Sequence, residues 1–421
     1  MPGLVEAVRE RGDARMKSVE DHLSGILERI APLAPLELQL LDAHGSLLVD
    51  EVAATGDLPP FDNSSMDGYA VRLADVADAG EQYPVVLEVV DDIAAGDTPK
   101  VALGSGTCAR IMTGAPVPEG TEAIVPVEWT DAGLPTVRIT KAPSSGQFIR
   151  RRGDDVSAGQ TVLDAGTTIG SAQVGLLAAI GRERIRVRPR PRVVILSTGS
   201  ELIQPGRPIG PGQIRDSNSY MLTAAAREAG AIAYRVGNVP DDPKVLIDTI
   251  EDQLIRADLV VTTGGVSAGA YDVVKEVLSE LGTVEFGKVA MQPGMPQGFG
   301  VIGPDETPIF TLPGNPVSAF VSFEVFVRPA LLRMQGAEVT ERPTVRATCS
   351  TALTSPDGKR QFLRARYTPP ADGVGEGTVD PVGGIGSHLL GSLARANALI
   401  SLPAEVTAVA EGAEVSVMLL G

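Results

Sequence analysis

Three loops of the sequence combine glycines with hydroxyl and amide side chains, and each directly follows a short apolar run typical of a buried strand. They are Ser197-Thr-Gly-Ser-Glu-Leu after Val193-Val-Ile-Leu, Thr262-Thr-Gly-Gly-Val-Ser-Ala-Gly after Leu259-Val-Val, and Leu312-Pro-Gly-Asn-Pro-Val-Ser-Ala after Ile309-Phe-Thr. Glycine lets a backbone approach a ligand closely, and hydroxyl and amide groups bond phosphate oxygens. Since ligands of open parallel sheets gather where the strands end, the three loops predict one cradle for an anion.

Each loop taken singly is more often only a tight turn, and three of them on one sheet edge favour function. In the third loop, Asn315 suits a helix N-cap and Pro316 the first helical position, so a helix dipole would point at the ligand. The predicted substrate-binding residues around these loops are Ser197, Thr198, Gly199, Asp216, Ser217, Asn218, Gly264, Gly265, Ser267, Pro313, Gly314 and Asn315.

Carboxylates recur near the same loops, at Glu201, Asp216, Asp241, Asp242 and Asp272. Magnesium prefers carboxylates, waters and substrate phosphates, so the set predicts a magnesium site. The structural alternatives are that Asp272 sits in the first turn of its helix and that Asp241-Asp-Pro is a turn before the next helix. We prefer Glu201 and Asp272 as metal ligands, followed by Asp241 or Asp242.

A second group of polar segments lies earlier in the chain. Phe61-Asp-Asn-Ser-Ser-Met-Asp-Gly-Tyr-Ala contains Asp67, Arg110-Ile-Met-Thr-Gly-Ala-Pro-Val-Pro contains Thr113, and Ile149-Arg-Arg-Arg-Gly-Asp-Asp carries three guanidinium groups. Polar loops on rigid scaffolds often carry sites, and an arginine cluster can clamp an anion. A plain loop and a solvated basic turn are the alternatives.

The elements that must position these residues follow from the apolar pattern. A helix is predicted behind a Ser18 cap, a β-rich region from Leu47 to about Ile149, and a helix at Ser171–Ile180. Beyond a Pro-punctuated boundary near residue 190, strands alternate with helices, which predicts a parallel, doubly wound sheet. Its helices are predicted at Tyr220–Ala229, Pro243–Arg256, Tyr271–Leu281 and Pro316 to about Gln335, and the tail from Glu341 is predicted to be β-rich.

Composition limits the class of protein. A chain of 421 residues predicts two to four domains, and its formal charge of -17 disfavours nucleic acid as a partner. No apolar run is long enough for membrane insertion and the start lacks a secretion signal, so we expect a cytoplasmic protein. Cys108 and Cys349 lie far apart, and the three histidines are scattered, so neither a disulfide framework nor a zinc site is indicated.

Six strings of the sequence together resemble the molybdopterin molybdenumtransferases called MoeA and the E domain of gephyrin. They are Phe61-Asp-Asn-Ser-Ser-Met-Asp-Gly-Tyr-Ala, Arg110-Ile-Met-Thr-Gly-Ala-Pro-Val-Pro, Arg150-Arg-Arg-Gly-Asp-Asp, Ser197-Thr-Gly, Gly264-Gly-Val-Ser and Leu312-Pro-Gly-Asn-Pro-Val-Ser. The resemblance implies an α/β multi-domain subunit with a helical linker domain (1–50 and 150–190), a β-rich lobe (51–149), a doubly wound molybdopterin-binding domain (191–337) and a C-terminal β-domain (338–421). It also implies a homodimer whose site joins the α/β domain of one subunit to the β-rich lobe of the other.

The family's reaction takes adenylylated molybdopterin and molybdate, breaks the phosphoanhydride with Mg²⁺, releases AMP and leaves molybdenum on the dithiolene. Matching positions imply that Glu201 and Asp272 help hold the cation or adenylate, and that Asp67 and Thr113 reach in from the partner subunit. These four residues are the predicted catalytic set. The strand-end loops would contact the pterin and the phosphates.

The chain departs from the family pattern at the oxyanion. A Lys-Pro-Gly-Lys-Pro string is usual before the last strand, and this chain reads Gln292-Pro-Gly-Met-Pro, so both lysine charges are missing. Lys288, Lys359 and Ser387 remain as predicted oxyanion partners, because Met295 offers no charge or strong hydrogen bond. Ser200 also replaces an acid common in the Ser-Thr-Gly-Asp-Glu string.

An alternative function belongs to a different class. A gephyrin-like scaffold would keep the fold and the dimer but bind a disordered tail of another protein in the groove between the α/β and C-terminal domains. The partner would be a membrane receptor or a cell-division protein such as FtsZ. The lost lysines favour this alternative modestly, whereas Asp67, Glu201 and Asp272 favour the enzyme. Adenylylation of molybdopterin alone is a weaker third reading, because single-domain relatives carry out that step.

Overall fold

The computed structural model describes residues 16–264, 271–371, 373 and 375–421, without the side chains of residues 271–273, 275 and 279. The chain divides into two compact units. One comprises Met1–Leu36, Gly45–Leu47 and Arg188–Gly421, and the other comprises Glu37–His44 and Leu48–Val187. No helix in the described ranges has the length and apolar character needed to cross a membrane.

The first described helix is α1 (Val19–Glu28). Ser18 caps it as predicted, since its Oγ accepts a hydrogen bond from the backbone N–H of Asp21 at 3.0 Å. Val19 and Ile26 are buried on one face of the helix, as the helical spacing of apolar residues requires. This helix belongs to the unit that contains Arg188–Gly421.

The other unit is built around a five-stranded sheet in the order β8-β5-β7-β6-β9. The described residues of the segments predicted as a helical linker, 1–50 and 150–190, include short strands in addition to two helices. The elements, in chain order, are β1 (Leu36–Gln39), β2 (Leu47–Leu48), β3 (Val52–Ala53), β4 (Asn63–Ser64), β5 (Gly68–Val71), α2 (Leu73–Val76), β6 (Val85–Ile93), β7 (Thr107–Ile111), β8 (Ala123–Pro126), a 3-10 turn (Val127–Trp129), β9 (Thr136–Ile139), β10 (Ile149–Arg150), β11 (Thr161–Leu163), α3 (Ser171–Ala179) and β12 (Arg184–Arg188).

A six-stranded sheet in the order β16-β13-β17-β21-β20-β18 follows. Alternate residues of β13 face opposite layers, with Val193 and Ile195 in one apolar cluster and Val194 and Leu196 in another. The elements are β13 (Arg192–Thr198), β14 (Leu202–Ile203), β15 (Ile214–Arg215), α4 (Asn218–Glu228), β16 (Ile232–Val239), α5 (Pro243–Leu254), β17 (Leu259–Thr263), α6 (Tyr271–Leu281), β18 (Gly282–Lys288), β19 (Met291–Gln292), β20 (Pro296–Ile302) and β21 (Thr307–Leu312).

Four strands of this sheet, β16, β13, β17 and β21, are parallel as predicted. The remaining two strands were not among those predicted from the apolar pattern, and they run antiparallel: β20 pairs with β21 and with β18. Only residues 303–306 separate β20 from β21. A parallel crossover needs a dozen or more residues, so this connection forces a hairpin.

The predicted helix from Pro316 to about Gln335 is interrupted. It consists of α7 (Pro316–Ser322), a π-helix (Phe323–Val327) and α8 (Arg328–Met334). Glu324 of the π-helix is buried and pairs with Arg342, whose Nε lies 2.7 Å from Glu324 Oε2.

The C-terminal region is a β-sheet, as predicted. Strands β24, β25, β22, β28 and β26 pair in that order, and β24 also pairs with β26, which closes the sheet into a small barrel. Strand β19 adds to β24, so Met291 and Gln292 belong to this sheet although they precede it by some fifty residues. The elements are β22 (Thr344–Cys349), β23 (Leu353–Thr354), β24 (Arg360–Thr368), β25 (Gly377–Pro381), α9 (Leu390–Leu393), β26 (Ala398–Leu402), β27 (Ala408–Val409) and β28 (Glu414–Leu419).

Candidate functional site

A cavity of about 710 Å³ lies where β13, β17 and β21 end. All three strand-end loops line it, as the sequence predicts. The lining residues are Ser197, Thr198, Gly199, Glu201, Leu202, Ile214, Arg215, Asp216, Ser217, Asn218, Asp241, Thr263, Gly264, Pro296, Pro313, Gly314, Asn315, Pro316, His388 and Leu390. A cavity of this size is typical of small-molecule sites.

Asn218, the first residue of α4, links the second and third loops by hydrogen bonds. Its Nδ2 donates to Thr263 Oγ1 at 3.0 Å and to the carbonyl oxygen of Gly314 at 2.6 Å. Thr263 Oγ1 in turn donates to the carbonyl oxygen of Pro313 at 3.0 Å. The second and third loops are therefore held in a fixed relation to the start of α4.

Gly264 is required where β17 ends. Its φ is +93°, in the left-handed region, and a Cβ there would lie 2.4 Å from the carbonyl oxygen of Thr198. The first and second loops approach each other at this contact. Any side chain at residue 264 would push them apart.

Asp216 is tied into the protein. Its side chain is 1% exposed and accepts hydrogen bonds from Ser197 Oγ at 2.9 Å, from the backbone N–H of Ser219 at 3.0 Å, and from Ser219 Oγ. Arg235 Nη1 lies 4.0 Å from its Oδ2, and the Arg235 guanidinium stacks 4.2 Å from the ring of Tyr220. With these partners, Asp216 orients Ser197.

Two other carboxylates of the cavity are more accessible. Glu201 is exposed, and its carboxylate has no hydrogen-bond partner among the described residues. Asp241 is half-buried, and its Oδ2 accepts the backbone N–H of Ser200 at 3.3 Å while its own N–H donates to Ser200 Oγ at 3.4 Å. In the part of the chain that the structure describes, no three His, Cys, Asp or Glu side chains cluster as a metal site.

Other predicted metal and loop residues have local roles or fall outside the description. Asp242 caps α5, since its Oδ1 accepts the N–H of Val245 at 3.0 Å, which is the structural alternative for this residue. Asn315 occupies the N-cap position of α7, but its side chain makes no capping hydrogen bond. Gly265, Ser267 and the side chain of Asp272 lie outside the described residues.

The predicted oxyanion residues do not come together at this cavity. Lys288 is exposed and lines a second cavity, of about 570 Å³, beside α1 and β18. Lys359 is half-buried just before β24 and lines neither of these two cavities. Ser387 is next to the cavity residue His388, and its carbonyl oxygen accepts the N–H of Val317 at 3.0 Å.

Asp67 and Thr113 are joined in the unit of the five-stranded sheet. Asp67 Oδ1 accepts the backbone N–H of Thr113 at 2.7 Å and its hydroxyl at 2.8 Å. The backbone hydrogen bond first, and then the hydroxyl, hold the pKa of the Asp67 carboxyl below its ordinary value, with a smaller effect from Arg110. Both side chains are exposed.

The arginine cluster in the same unit is largely used in local ion pairs. Arg151 Nη1 lies 2.6 Å from Asp62 Oδ2, and Arg152 pairs with Asp57. Hydrogen bonds from the backbone of Arg152 and from Arg151 lower the pKa of Asp62. This arrangement favours the structural alternative over an anion clamp.

Sequence reasoning missed several cavity residues, above all Arg215 and His388. Both are exposed and chargeable. His388 directly follows the Gly-rich string Gly383-Gly-Ile-Gly-Ser. That string was the only sign in the sequence that this segment forms a tight turn near a ligand. A lone histidine in a turn is weak evidence by itself.

Three family models match successive parts of the chain. They describe the MoeA N-terminal region (domain I and II) at residues 17–181, a probable molybdopterin binding domain at 194–333, and the MoeA C-terminal region (domain IV) at 346–420. The Mycobacterium tuberculosis protein named molybdopterin molybdenumtransferase 2 is 48% identical over 408 residues, covering 96% of this chain and 99% of the relative. The chain belongs to the MoeA family. Molybdopterin molybdenumtransferase 1 of the same organism is 41% identical over 423 residues, with 96% and 99% coverage.

Solved structures agree with this MoeA membership. The molybdopterin biosynthesis MoeA protein from Pyrococcus horikosii has a TM-score of 0.74 and 31% identity, and the match covers 97% of this chain and 100% of that one. The predicted multi-domain α/β fold and the family resemblance are thus confirmed. Because the matched relatives are named as transferases, the scaffold alternative is not favoured.

Proposed function

We propose that this MoeA-family protein is a molybdopterin molybdenumtransferase. It would take adenylylated molybdopterin, break the phosphoanhydride with release of AMP, and leave molybdenum on the dithiolene. One observation carries the proposal beyond family membership. Thr198 Oγ1 and Asn218 Oδ1, both on cavity-lining residues, are buried without a hydrogen-bond partner in the described structure. Buried polar atoms are seldom left unpaired, so a polar ligand is expected to bind there.

The strand-end loops would bind the pterin and the phosphates. The hydroxyl of Ser197 is held in place by its hydrogen bond to Asp216. The side-chain amide of Asn315 makes no capping hydrogen bond and is available to a ligand. Gly264 and Gly314 lie where a ligand would meet the backbone, with no side chain in the way. Preorganised donors of this kind stabilise charge that builds on phosphoryl oxygens.

Glu201 and Asp241 are the described residues that suit Mg²⁺, and Asp272 remains the third predicted ligand. Magnesium binds through one or two carboxylates and completes its shell with water and substrate phosphate, so two accessible carboxylates are sufficient protein ligands. The ion would neutralise charge on the phosphoanhydride oxygens. Asp242 is a weaker candidate because it caps α5.

Molybdate would be held differently from the pattern of two lysines that the family resemblance implies. Gln292 Oε1 accepts a hydrogen bond from Gln361 Nε2 at 3.2 Å, and Met295 supplies a carbonyl oxygen to the N–H of Val289. Of the three predicted oxyanion partners, only Ser387 adjoins a residue of the large cavity. We therefore assign molybdate contact to the Ser387 turn rather than to Lys288 or Lys359.

A cytoplasmic homodimer with shared sites is part of the proposal, with Asp67 and Thr113 supplied by the second copy and the four domain boundaries as given above. Mixed dimers test it. Asp67→Asn and Glu201→Gln are each expected to inactivate the homodimer, and mixing the two variants after subunit exchange should restore partial activity, because one intact shared site forms. Absence of restored activity in verified mixed dimers contradicts the shared site.

The activity itself is tested by AMP release from adenylylated molybdopterin with Mg²⁺ and molybdate. We expect molybdate-dependent release, reduced about 100-fold or more in Glu201→Gln, because an amide is a weaker ligand for the Mg²⁺ that would neutralise the phosphoanhydride charge. Glu251→Gln, on the exposed face of α5, is the matched control and should retain activity. A wild-type protein that neither binds adenylylated molybdopterin nor releases AMP refutes the proposed function.

A further inference from the structure

The Gly383–Leu389 turn is fixed from two sides. Arg364, on β24 and 6% exposed, donates from Nη1 to the carbonyl oxygen of Gly386 at 3.1 Å and from Nη2 to that of Gly384. No carboxylate pairs with Arg364 among the residues described. From the other side, the N–H of Val317 donates to the carbonyl oxygen of Ser387 at 3.0 Å. The turn therefore joins the C-terminal barrel to the start of α7.

This anchoring places His388 on the wall of the large cavity, with Asn315, Pro316 and Pro296. The ring packs over Gly386, since a Cβ at residue 386 would lie 3.0 Å from His388 Cε1 and 3.3 Å from Nδ1. Neither ring nitrogen has a hydrogen-bond partner in the described structure, and the side chain is exposed. The imidazole therefore packs against Gly386 on one face, and its ring nitrogens are available for a hydrogen bond to a ligand.

The charges that line the cavity favour an additional group that can carry a positive charge. Its described lining contains three carboxylates, those of Glu201, Asp216 and Asp241, and one guanidinium, that of Arg215. Asp216 is paired with Arg235, and Glu201 and Asp241 are the proposed Mg²⁺ ligands, so Arg215 is the one described lining guanidinium that could bind a phosphate oxygen. A further cationic side chain in the lining would strengthen phosphate binding, and an imidazole changes its charge in the physiological pH range.

We propose that His388 is a ligand-contacting residue of this site, which donates a hydrogen bond from its ring to a phosphate oxygen of a phosphoanhydride-bearing ligand. The inference rests on the proposed function and adds a chargeable side chain from the C-terminal region to a site whose phosphate-binding loops come from the α/β sheet. Arg364 acts as a positioning residue through the turn. The competing explanation is that His388 only packs against Gly386.

Histidine NMR separates the two explanations. The chain has three histidines, so their ring ¹⁵N signals can be assigned with single substitutions. Inorganic pyrophosphate titrated at about pH 7 should move the His388 signals toward those of the protonated ring and leave His44, which is exposed in the other unit, unchanged. Unmoved His388 signals at saturating pyrophosphate would overturn the proposal.

Steady-state kinetics provide the second measurement. His388→Gln keeps a hydrogen-bond donor but cannot carry the charge, and should raise KM for adenylylated molybdopterin about tenfold, the size expected when one charged hydrogen bond is weakened. His44→Gln is the matched control. A KM equal to that of the wild type in His388→Gln also overturns the proposal. If the wild type releases no AMP while pyrophosphate still shifts His388, the proposed function fails and this inference stands.

Discussion

Thr113 donates both its backbone N–H and its hydroxyl to one oxygen of Asp67, at 2.7 and 2.8 Å. Two donors on one carboxylate oxygen stabilise the ionised form and lower its pKa. A carboxylate held in this way keeps its charge and its direction as the pH falls. Its second oxygen, Oδ2, remains available for a substrate or a cation.

Thr113→Val is expected to raise the pKa of Asp67 toward its ordinary value, because the hydroxyl donor is lost while the N–H remains. A group with a depressed pKa stabilises the folded state at higher pH, and that contribution is lost as pH falls through the folded-state pKa. Carboxyl ¹³C NMR titration measures the shift. Thr113→Ser retains the hydroxyl and serves as the control. Identical midpoints in Thr113→Val and wild type would show that the hydroxyl contributes nothing.

Gly264→Ala should destabilise the protein by about 2–4 kcal/mol, since it combines left-handed strain with a backbone clash. The added Cβ would lie 2.4 Å from the carbonyl oxygen of Thr198. Gly25→Ala is the contrasting variant, because its Cβ meets nothing within 4 Å and lies inside α1, where alanine gains about 0.5–1 kcal/mol. Thermal unfolding followed by circular dichroism should move in opposite directions for the two variants. Equal shifts would refute the steric argument.

Glu324→Gln should cost about 3–5 kcal/mol, because it leaves the guanidinium of Arg342 buried without its counter-charge. Both oxygens of Glu324 accept from Arg342, at 2.7 and 3.2 Å, and Arg342 Nη1 also donates to the carbonyl oxygen of Leu420. The matched control is Asp50→Asn at the exposed Asp50–Arg186 pair, where less than about 1 kcal/mol is expected. Urea unfolding compares the two. Similar losses for both would contradict the role of burial.

His22 should make stability pH-dependent. Burial first, and then the nearby charge of Lys17, lowers its pKa from 6.5 to about 4, while Glu285 acts in the opposite direction. The unfolded chain therefore binds the proton more tightly, and the free energy of unfolding should fall by about 3 kcal/mol as pH drops from 6.5 to 4. The ring also lies edge-on to Phe326, with centroids 4.8 Å apart.

The measurement is the difference in unfolding free energy between wild type and His22→Leu across that pH range, which cancels the titration of shared carboxylates. The difference, wild type minus variant, should fall as the pH drops, because the folded-state pKa of His22 is depressed. A constant difference for His22→Leu would show that its protonation is not coupled to folding.

Several features of the fold were predictable because their causes are local. The Ser18 cap, the start of α5 at Pro243, the bounds of α6 and the three strand-end loops each follow from residues within a few positions of one another. The antiparallel β20 and β18 were not predicted, since alternating apolar residues do not reveal strand direction. The π-helix at Phe323–Val327 also lacks a local sequence signal.

The candidate site shows the same division. Asp241 and Asp242 are neighbours of one type, yet Asp241 lines the cavity whereas Asp242 caps α5. Asp216 is a residue type that commonly binds metal ions, but its carboxylate accepts hydrogen bonds from Ser197 and Ser219 instead. Which partner a carboxylate finds depends on side-chain directions that sequence proximity does not fix.

By itself, the sequence determined the family, the kinds of group available for phosphate binding, and the order in which strands present them. Only the tertiary structure decided which of these groups share a cavity, and it added His388 from a turn held by Arg364 and Val317. Local conformation is set by short-range sterics and hydrogen bonds, which neighbouring residues encode. The meeting of segments seventy residues apart is set by the packing of whole sheets and helices, and no local pattern contains it.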